Sequence, residues 1–232
     1  MTNAPSSSTR PRPALADLGP VAQLRAGRLP ERLVRLYVGL VAYGLSIALM
    51  VRGRFGLAPW STMESGLIRH VPLTLGQAVV AVSFVVLLLW IPLREVPGLA
   101  TVSNAILVGI SADASLGLLD SPDALAARLA LTVGGVVLCG FATALYIGAQ
   151  LGRGPRDGLM TGLARRTGWS LRAVRTGLEI TVVVLGFVLG GAVGVGTVLF
   201  ALTIGPIAQA MLPFLLVDVR VPVVPGAPDD VR

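Results

Sequence analysis

Six apolar stretches of about 20 residues each dominate this chain and constrain what it can fold into. They lie near residues 33–51, 73–92, 97–117, 127–150, 172–191 and 196–216. A helix of about 20 apolar residues is long enough to cross the hydrocarbon core of a bilayer. The last two stretches are divided at residues 190–196, where four glycines predict a turn. The pattern predicts an all-α, polytopic transmembrane bundle of about six spans.

The composition excludes the main alternatives to a membrane protein. Apolar residues make up 54% of the 232 residues and charged residues only 13%, against about 25% charged in a typical soluble domain. A soluble globular domain, a disordered chain and a disulfide scaffold are therefore excluded. The 19 basic residues, all arginine, flank the apolar stretches and do not form one basic face. The expected partner is thus the lipid bilayer and not a nucleic acid.

The two ends of the chain differ from its middle. Residues 1–32 are rich in Pro, Ser, Ala and Arg and contain no apolar stretch. They are interpreted as a disordered cytoplasmic tail without a signal peptide. Residues 33–217 are predicted to form the transmembrane domain, and residues 218–232 a flexible C-terminal tail.

An internal repeat is the most informative feature of the middle. When the chain is shifted by 96 residues, 22 of the 81 positions from 36 to 116 are identical, against about a tenth expected by chance. Repeat one covers residues 33–120 and repeat two covers residues 127–217. Because each repeat holds three spans, an odd number, the second repeat must enter the membrane from the opposite side. The sequence therefore predicts an inverted repeat.

The arginines predict the orientation in the membrane. With the N-terminus in the cytoplasm, 15 arginines lie inside and four lie outside. The four outside are Arg52, Arg54, Arg69 and Arg128. Basic residues favour the cytoplasmic side, so the predicted location is a bacterial plasma membrane, multi-pass, with a cytoplasmic N-terminus.

A Gly-x-x-Pro element follows the first span of each repeat. The first copy contains Gly56, Pro59 and Ser61; the second contains Gly152, Pro155, Arg156 and Asp157. Glycine ends a helix and proline opens the next one, so a short helix is predicted after each proline. It is either a broken, re-entrant helix whose N-terminus faces a polar cavity, or an amphipathic helix at the membrane interface.

Several motifs together resemble the YczE-like family of bacterial integral membrane proteins, which is related more loosely to the YitT group. They are Gly-Leu-Ala-Pro-Trp-Ser at 56–61, Pro-Gly-Leu-Ala-Thr-Val at 97–102, Gly-Arg-Gly-Pro-Arg-Asp-Gly-Leu-Met at 152–160 and Val-Gly-Val-Gly-Thr-Val-Leu-Phe-Ala at 193–201. The resemblance covers about residues 33–216 and implies a membrane location and a shared fold, but no reaction. Ala58 and Ser61 stand where the family usually has Gly and Asp.

Glu179 is the acidic residue of the fifth apolar stretch, and Arg175 lies one helical turn before it. A carboxylate at this depth is costly, about 2.5–3.5 kcal/mol at a helix centre. The pair either faces a cavity and binds substrate or protons, or locks the span to its neighbours. The tryptophans Trp60, Trp90 and Trp169 fall near predicted span ends and are interpreted as interface anchors.

No catalytic motif is present, and with one Cys and one His a nucleophile–base pair or a metal site is not expected. We therefore expect no enzyme activity, cofactor or metal. The predicted function is a small secondary transporter or permease; the alternative is a non-transporting scaffold or regulator of a partner protein. The candidate substrate site consists of Gly152, Pro155, Arg156 and Asp157, together with Arg175 and Glu179. The repeat counterparts of Gly152, Pro155 and Asp157 are Gly56, Pro59 and Ser61. Helix N-termini and Arg156 favour a small, anionic substrate, and assembly as a homodimer stays open.

Overall fold

A computed structural model describes residues 18–219 of the chain, and the regular structure in that range is helical. The helices are α1 (Pro20–Arg25), α2 (Leu29–Gly53), α3 (Pro59–Leu67), α4 (Leu75–Leu93), α5 (Leu99–Leu118), α6 (Leu125–Gly148), α7 (Pro155–Thr167), α8 (Leu171–Val188) and α9 (Val195–Leu215). The predicted all-helical class is confirmed. The Gly-x-x-Pro elements open α3 and α7, each with proline in its first turn.

Five of the helices in the described range are long and apolar enough to cross a membrane, namely α2, α4, α5, α6 and α9. Their positions match five of the six predicted spans, so the multi-pass membrane class is confirmed. Helix α8 occupies the remaining predicted span. It has 18 residues but carries three charged side chains, those of Arg172, Arg175 and Glu179, and is not one of the five.

The helix that matches the first predicted span includes residues before position 33. Helix α2 starts at Leu29, and the Arg32 side chain is fully buried. Its guanidinium donates hydrogen bonds to the carbonyl oxygens of Ala149 (2.8 Å) and Gln150 (2.6 Å). The last carbonyls of a helix have no partner within that helix, so Arg32 satisfies the end of α6. Most of the predicted tails, residues 1–17 and 220–232, lie outside the described range.

Helices α2 and α6 form the centre of the bundle and pack through glycines. A Cβ atom at Gly39 would lie 2.9 Å from the backbone nitrogen of Tyr146, and Gly53 faces Thr132. As α2 advances, its contacts on α6 move toward the start of α6, so the two helices are antiparallel. Close backbone approach at small residues is a major source of helix association within membranes.

Many contacts recur after a shift of 96 residues. Gly44 lies against Ser111 and Ala112 of α5, and Gly140 lies against Ile207 and Ala208 of α9. Equivalent contacts are also made by the following pairs: Gly39 with Tyr146 and Gly135 with Met50; Gly56 with Gly194 and Gly152 with Gly98; Arg32 with Ala149 and Arg128 with Gly53. The two halves of the domain therefore use the same positions for packing.

One pair of helices breaks this equivalence. Helix α4 packs closely on α5, where a Cβ at Gly109 would lie 2.3 Å from the Gly76 carbonyl oxygen. The Gly76 N–H also donates to the Asp113 carboxylate (2.8 Å). In repeat two, the residue that corresponds to Gly76 is Arg172 of α8, and the residue that corresponds to Gly109 is Gly205 of α9. A Cβ at Gly205 would meet no atom within 4 Å. Helix α8 instead packs on α3 and α7 and leaves a gap beside α9.

Candidate functional site

The first turns of the two short helices meet in the middle of the bundle. Trp60 and Arg156 are the second residues of α3 and α7, and they are repeat counterparts. The Arg156 guanidinium carbon lies 4.9 Å from the centre of the Trp60 ring, which is within the range of a cation–π interaction. This contact places a positive charge where the two halves of the domain join.

Arg156 forms an ion pair with Glu64 of α3. The Glu64 side chain is fully buried and that of Arg156 is 16% exposed. One carboxylate oxygen, Oε1, accepts the hydrogen bond from Arg156. The other oxygen, Oε2, has no hydrogen-bond partner among the described residues.

Asp157 lies beside this pair and is held by a tyrosine. Its Oδ2 accepts a hydrogen bond of 2.5 Å from the Tyr146 hydroxyl. The ring of Tyr146 packs edge-on against Tyr43, with 6.4 Å between ring centres. Asp157 also lies in the first turn of α7, where the helix dipole stabilises a negative charge. Arg156 and Asp157, neighbours in the chain, thus both lie at this centre.

The remaining residues of the two predicted elements build the frame of the site. The Pro155 carbonyl accepts a hydrogen bond of 2.9 Å from the Trp90 indole N–H. Gly56 and Gly152 have φ angles of +110° and +124°, which favour glycine. Ser61 is buried in α3, and its Oγ has no hydrogen bond of ordinary geometry.

Glu179 and Arg175 form the predicted pair along α8, with 2.9 Å between Arg175 Nε and Glu179 Oε1. Their side chains are 19% and 42% exposed, so the pair is not enclosed by protein. Both side chains line a cavity that opens beside α8. The structure therefore joins these two residues to the site through a cavity and not through direct contact.

This cavity, which we call the α8–α9 cavity, has a volume of about 400 Å³. Its polar lining consists of Tyr43, Thr143, Tyr146, Arg156, Asp157, Arg175, Glu179 and Gln209, with Pro59 and Trp60 at its inner end. It exists because α8 stands away from α9, and it leads directly to Arg156.

A second cavity, which we call the α2–α5 cavity, has a volume of about 710 Å³. It is lined by the end of α2, including Met50 and Arg52, and by Asp113 of α5. The α8–α9 cavity is lined instead by the end of α6. Because α2 and α6 are antiparallel, the two cavities open at opposite ends of the bundle. Arg156 does not line the α2–α5 cavity.

Two of the three tryptophans are not interface anchors, and that prediction was wrong for them. Trp60 and Trp90 are buried, whereas Trp169 is 68% exposed. Trp60 packs on Arg156, and Trp90 fills the space left by Gly158 on α7. The position of a tryptophan near a predicted span end therefore did not identify an interface residue, because the side chains of Trp60 and Trp90 pack inside the protein.

Sequence reasoning also missed the partner of Arg156. Glu64 belongs to the first element, in which Ser61 stands where the family usually has Asp. The available signal was the spacing, since Glu64 lies one turn after Ser61 and so on the same helix face. As for metals, no group of three or more His, Cys, Asp or Glu residues between 18 and 219 is arranged to hold an ion.

Long apolar helices around a buried centre of charged and aromatic side chains define a polytopic membrane protein with a polar core. The chain belongs to the family of unknown function DUF6198, whose model matches residues 30–213. An uncharacterized protein of Haemophilus influenzae is 39% identical over 190 residues, which cover 82% of this chain and 86% of the relative. The uncharacterized membrane protein YczE of Bacillus subtilis is 31% identical over 179 residues, covering 76% of this chain and 83% of YczE.

Another Bacillus subtilis protein, the uncharacterized protein YyaS, is 26% identical over 185 residues, which cover 77% of this chain and 90% of YyaS. The resemblance to the YczE-like family is thereby confirmed. No solved structure matches the chain.

Proposed function

We propose that the protein is a small secondary transporter built from two inverted repeats of three spans each, with α8 as the sixth span. In this proposal the N-terminus is cytoplasmic and the protein catalyses no reaction. The contacts that recur at a 96-residue shift support the repeat, and the antiparallel packing of α2 and α6 supports its inversion. A pseudo-twofold axis in the membrane plane is typical of secondary transporters.

The observation that carries the proposal is the relation between the two cavities. Equivalent residues of the two repeats line them: Met50 and Tyr146, Val51 and Ile147, Leu75 and Leu171, Asp113 and Gln209, and Leu116 and Leu212. Of these two cavities, the α8–α9 cavity is the one that reaches Arg156. Two equivalent cavities at opposite ends, one of them open to a central charged site, are the arrangement that alternating access requires.

The packing of the short helices supports their interpretation as broken, re-entrant helices. The short helices are buried at several positions, namely Pro59, Ser61 and Glu64 of α3 and Pro155 of α7. An amphipathic helix at the interface would expose one polar face to water instead. The N-terminus of α7 and the Arg156 guanidinium both favour an anionic substrate.

The test is ligand binding followed by transport. We expect at least one small anion from a panel of carboxylates and phosphate esters to raise the melting temperature of the purified protein, since a ligand that binds only the folded state stabilises it. Arg156→Gln should abolish that rise. Arg165→Gln is the matched control, because Arg165 is 59% exposed and pairs with Glu95 at the end of α7.

The stabilising anion is then tested for uptake into proteoliposomes. Uptake by the wild type and by Arg165→Gln, but not by Arg156→Gln, would support the transporter. Binding without uptake would contradict it and favour the alternative, a non-transporting scaffold or regulator.

A further inference from the structure

We propose that Glu64 is the proton-binding group of the central site, and that its protonation frees Arg156 to bind an anion such as a carboxylate. This inference rests on the proposed function and adds to it a coupling ion and a class of substrate. In this scheme one proton and one anion occupy the site together.

The first argument is the environment of Glu64. Its side chain is fully buried, and Arg156 neutralises it through Oε1. Its second oxygen, Oε2, has no hydrogen-bond partner among the described residues. A buried carboxylate oxygen without a partner is costly, whereas a protonated carboxyl places less negative charge on that oxygen. Oε2 is therefore the atom to which a proton adds.

The second argument is the count of charges at the centre. Two carboxylates, Glu64 and Asp157, face one guanidinium, that of Arg156. Asp157 is stabilised as an anion by the Tyr146 hydroxyl and by the first turn of α7. Glu64 has neither support, so an added proton that neutralises the excess negative charge binds to Glu64.

The surrounding elements supply no competing charge at this point. Of the helices packed on α3, α4 and α9 carry no ionisable side chain, and α8 carries Arg172, Arg175 and Glu179. Arg175 and Glu179 neutralise each other. The other ionisable groups near the centre, Tyr43, Tyr146 and Cys139, are neutral in the range in which carboxylates titrate.

The third argument is the position of Arg156 between Glu64 and the cavity. Its side chain is partly exposed to the α8–α9 cavity, while Glu64 lies behind it. When Oε2 gains a proton from the cavity, the ion pair becomes a weaker bond between a cation and a neutral carboxyl. A carboxylate in the cavity then replaces Glu64 as the partner of Arg156. One positive and one negative charge have been added, so the net charge of the site is unchanged.

Tyr43 offers a route for the proton. It borders the α8–α9 cavity and also a buried cavity of about 10 Å³ that is lined by Ser61, Ser46 and Cys139. Ser61 lies one turn before Glu64 on α3, so hydroxyl groups lead from the cavity toward the carboxyl.

The first experiment tests the proton alone, without a ligand. Infrared difference spectra of the full-length protein are recorded between acidic and mildly alkaline buffer. In acid the protonated carboxyls of the wild type give carbonyl bands, and Glu64→Gln should lack one component of them. Glu31→Gln is the control, because Glu31 forms surface pairs with Arg28 and Arg35, and its spectrum should keep that component. Identical carbonyl bands in the wild type and Glu64→Gln would overturn the proposal.

The second experiment tests the release of Arg156, with acetate as the probe at constant ionic strength. Acetate should raise the melting temperature of the wild type in acid only, and that of Glu64→Gln at both pH values. In Glu64→Gln, Arg156 lacks the ion-pair partner that holds it in the wild type and should bind a small anion at the cavity, so no rise in Glu64→Gln at either pH would overturn the proposal. If Glu64→Gln does not fold, Glu64→Asp is measured instead. It should shift the carboxyl band, and an unshifted band would overturn the assignment to Glu64.

The two proposals fail in distinguishable ways. A Glu64-dependent band together with acetate binding, but no transport of any ligand, would contradict the transporter and leave the proton site supported. Transport that is unaffected by pH in both the wild type and Glu64→Gln would overturn the proton site and leave the transporter supported.

Discussion

The contact between α4 and α5 gives the sharpest stability prediction, because the chain contains its own control. Gly109 and Gly205 are repeat counterparts on α5 and α9. A Cβ at Gly109 would lie 2.3 Å from the Gly76 carbonyl oxygen and 2.6 Å from a methyl group of Val80. A Cβ at Gly205 would meet nothing within 4 Å. We therefore expect the same substitution to destabilise the protein at Gly109 and to have little effect at Gly205.

The magnitude follows from these distances. The obstacle at Gly109 is a backbone oxygen, which cannot rotate away, so Gly109→Ala forces α4 and α5 apart. Overpacking of this kind costs about 1–3 kcal/mol. Gly205→Ala meets no atom within 4 Å and gains helix propensity. Gly205 precedes Pro206 in α9, and a Cβ before proline is disfavoured in a helix, so the substitution should be close to neutral. A loss of about 2 kcal/mol lowers the ratio of folded to unfolded protein about thirtyfold.

The assay is thermal and denaturant-induced unfolding of both variants in the same detergent, followed by tryptophan fluorescence. Gly109→Ala should unfold at a lower temperature than the wild type, and Gly205→Ala at nearly the same temperature. If Gly109→Ala is as stable as Gly205→Ala, then α4 and α5 do not approach each other as closely as the structure has them. The explanation of the gap between α8 and α9 would then be wrong as well.

Three further predictions concern the site and the orientation. Asp157→Asn removes a charge from the first turn of α7 and should cost at most about 1 kcal/mol of stability. In a thermal-shift assay, the ligand that stabilises the wild type should not stabilise this variant. Retained stabilisation would exclude Asp157 from the site. Glu179→Gln should change the free energy of unfolding little, because its pair with Arg175 is partly exposed. A double-mutant cycle with Arg175→Gln should give a coupling free energy of about 0.3–0.5 kcal/mol. A coupling free energy of several kcal/mol would indicate a buried, structural pair. In a variant without Cys139, Asp123→Cys should react with a membrane-impermeant maleimide added to intact cells, and Thr167→Cys should not. The reverse result would contradict the orientation with a cytoplasmic N-terminus.

The sequence by itself determined the class of the protein and the positions of its helices. Apolar stretches of about 20 residues must be helices in a bilayer, because a helix satisfies its backbone hydrogen bonds within its own segment. The starts of α3 and α7 were predictable for a similar reason. Glycine with a positive φ, followed by proline in the first helical turn, is a local requirement that a few neighbouring residues fulfil.

The 96-residue repeat was also visible in the sequence, and its glycines turned out to be packing positions. Gly39, Gly44 and Gly56 recur as Gly135, Gly140 and Gly152 because each faces a neighbouring segment at a distance that leaves little room for a Cβ; at Gly140 the neighbour is the Ile207 side chain. Such a contact tolerates no side chain, so it leaves an identity in the sequence. Positions with no such demand, such as Trp60 and Arg156, diverged between the repeats and could not be matched by identity.

Only the tertiary structure decided which charges meet and where the site is accessible. Glu64 and Arg156 are 92 residues apart, and nothing local to either residue specifies the other. Their pairing depends on how α3 and α7 approach each other within the bundle. In repeat two, Arg172 stands at the position that corresponds to Gly76 of repeat one. The importance of this difference became visible only in the structure, because Gly76 lies in the close contact between α4 and α5. Gly76 lets α4 touch α5, whereas Arg172 at the equivalent position of α8 is exposed. Helix α8 packs on α3 and α7 instead, and the opening beside α9 exposes Arg156.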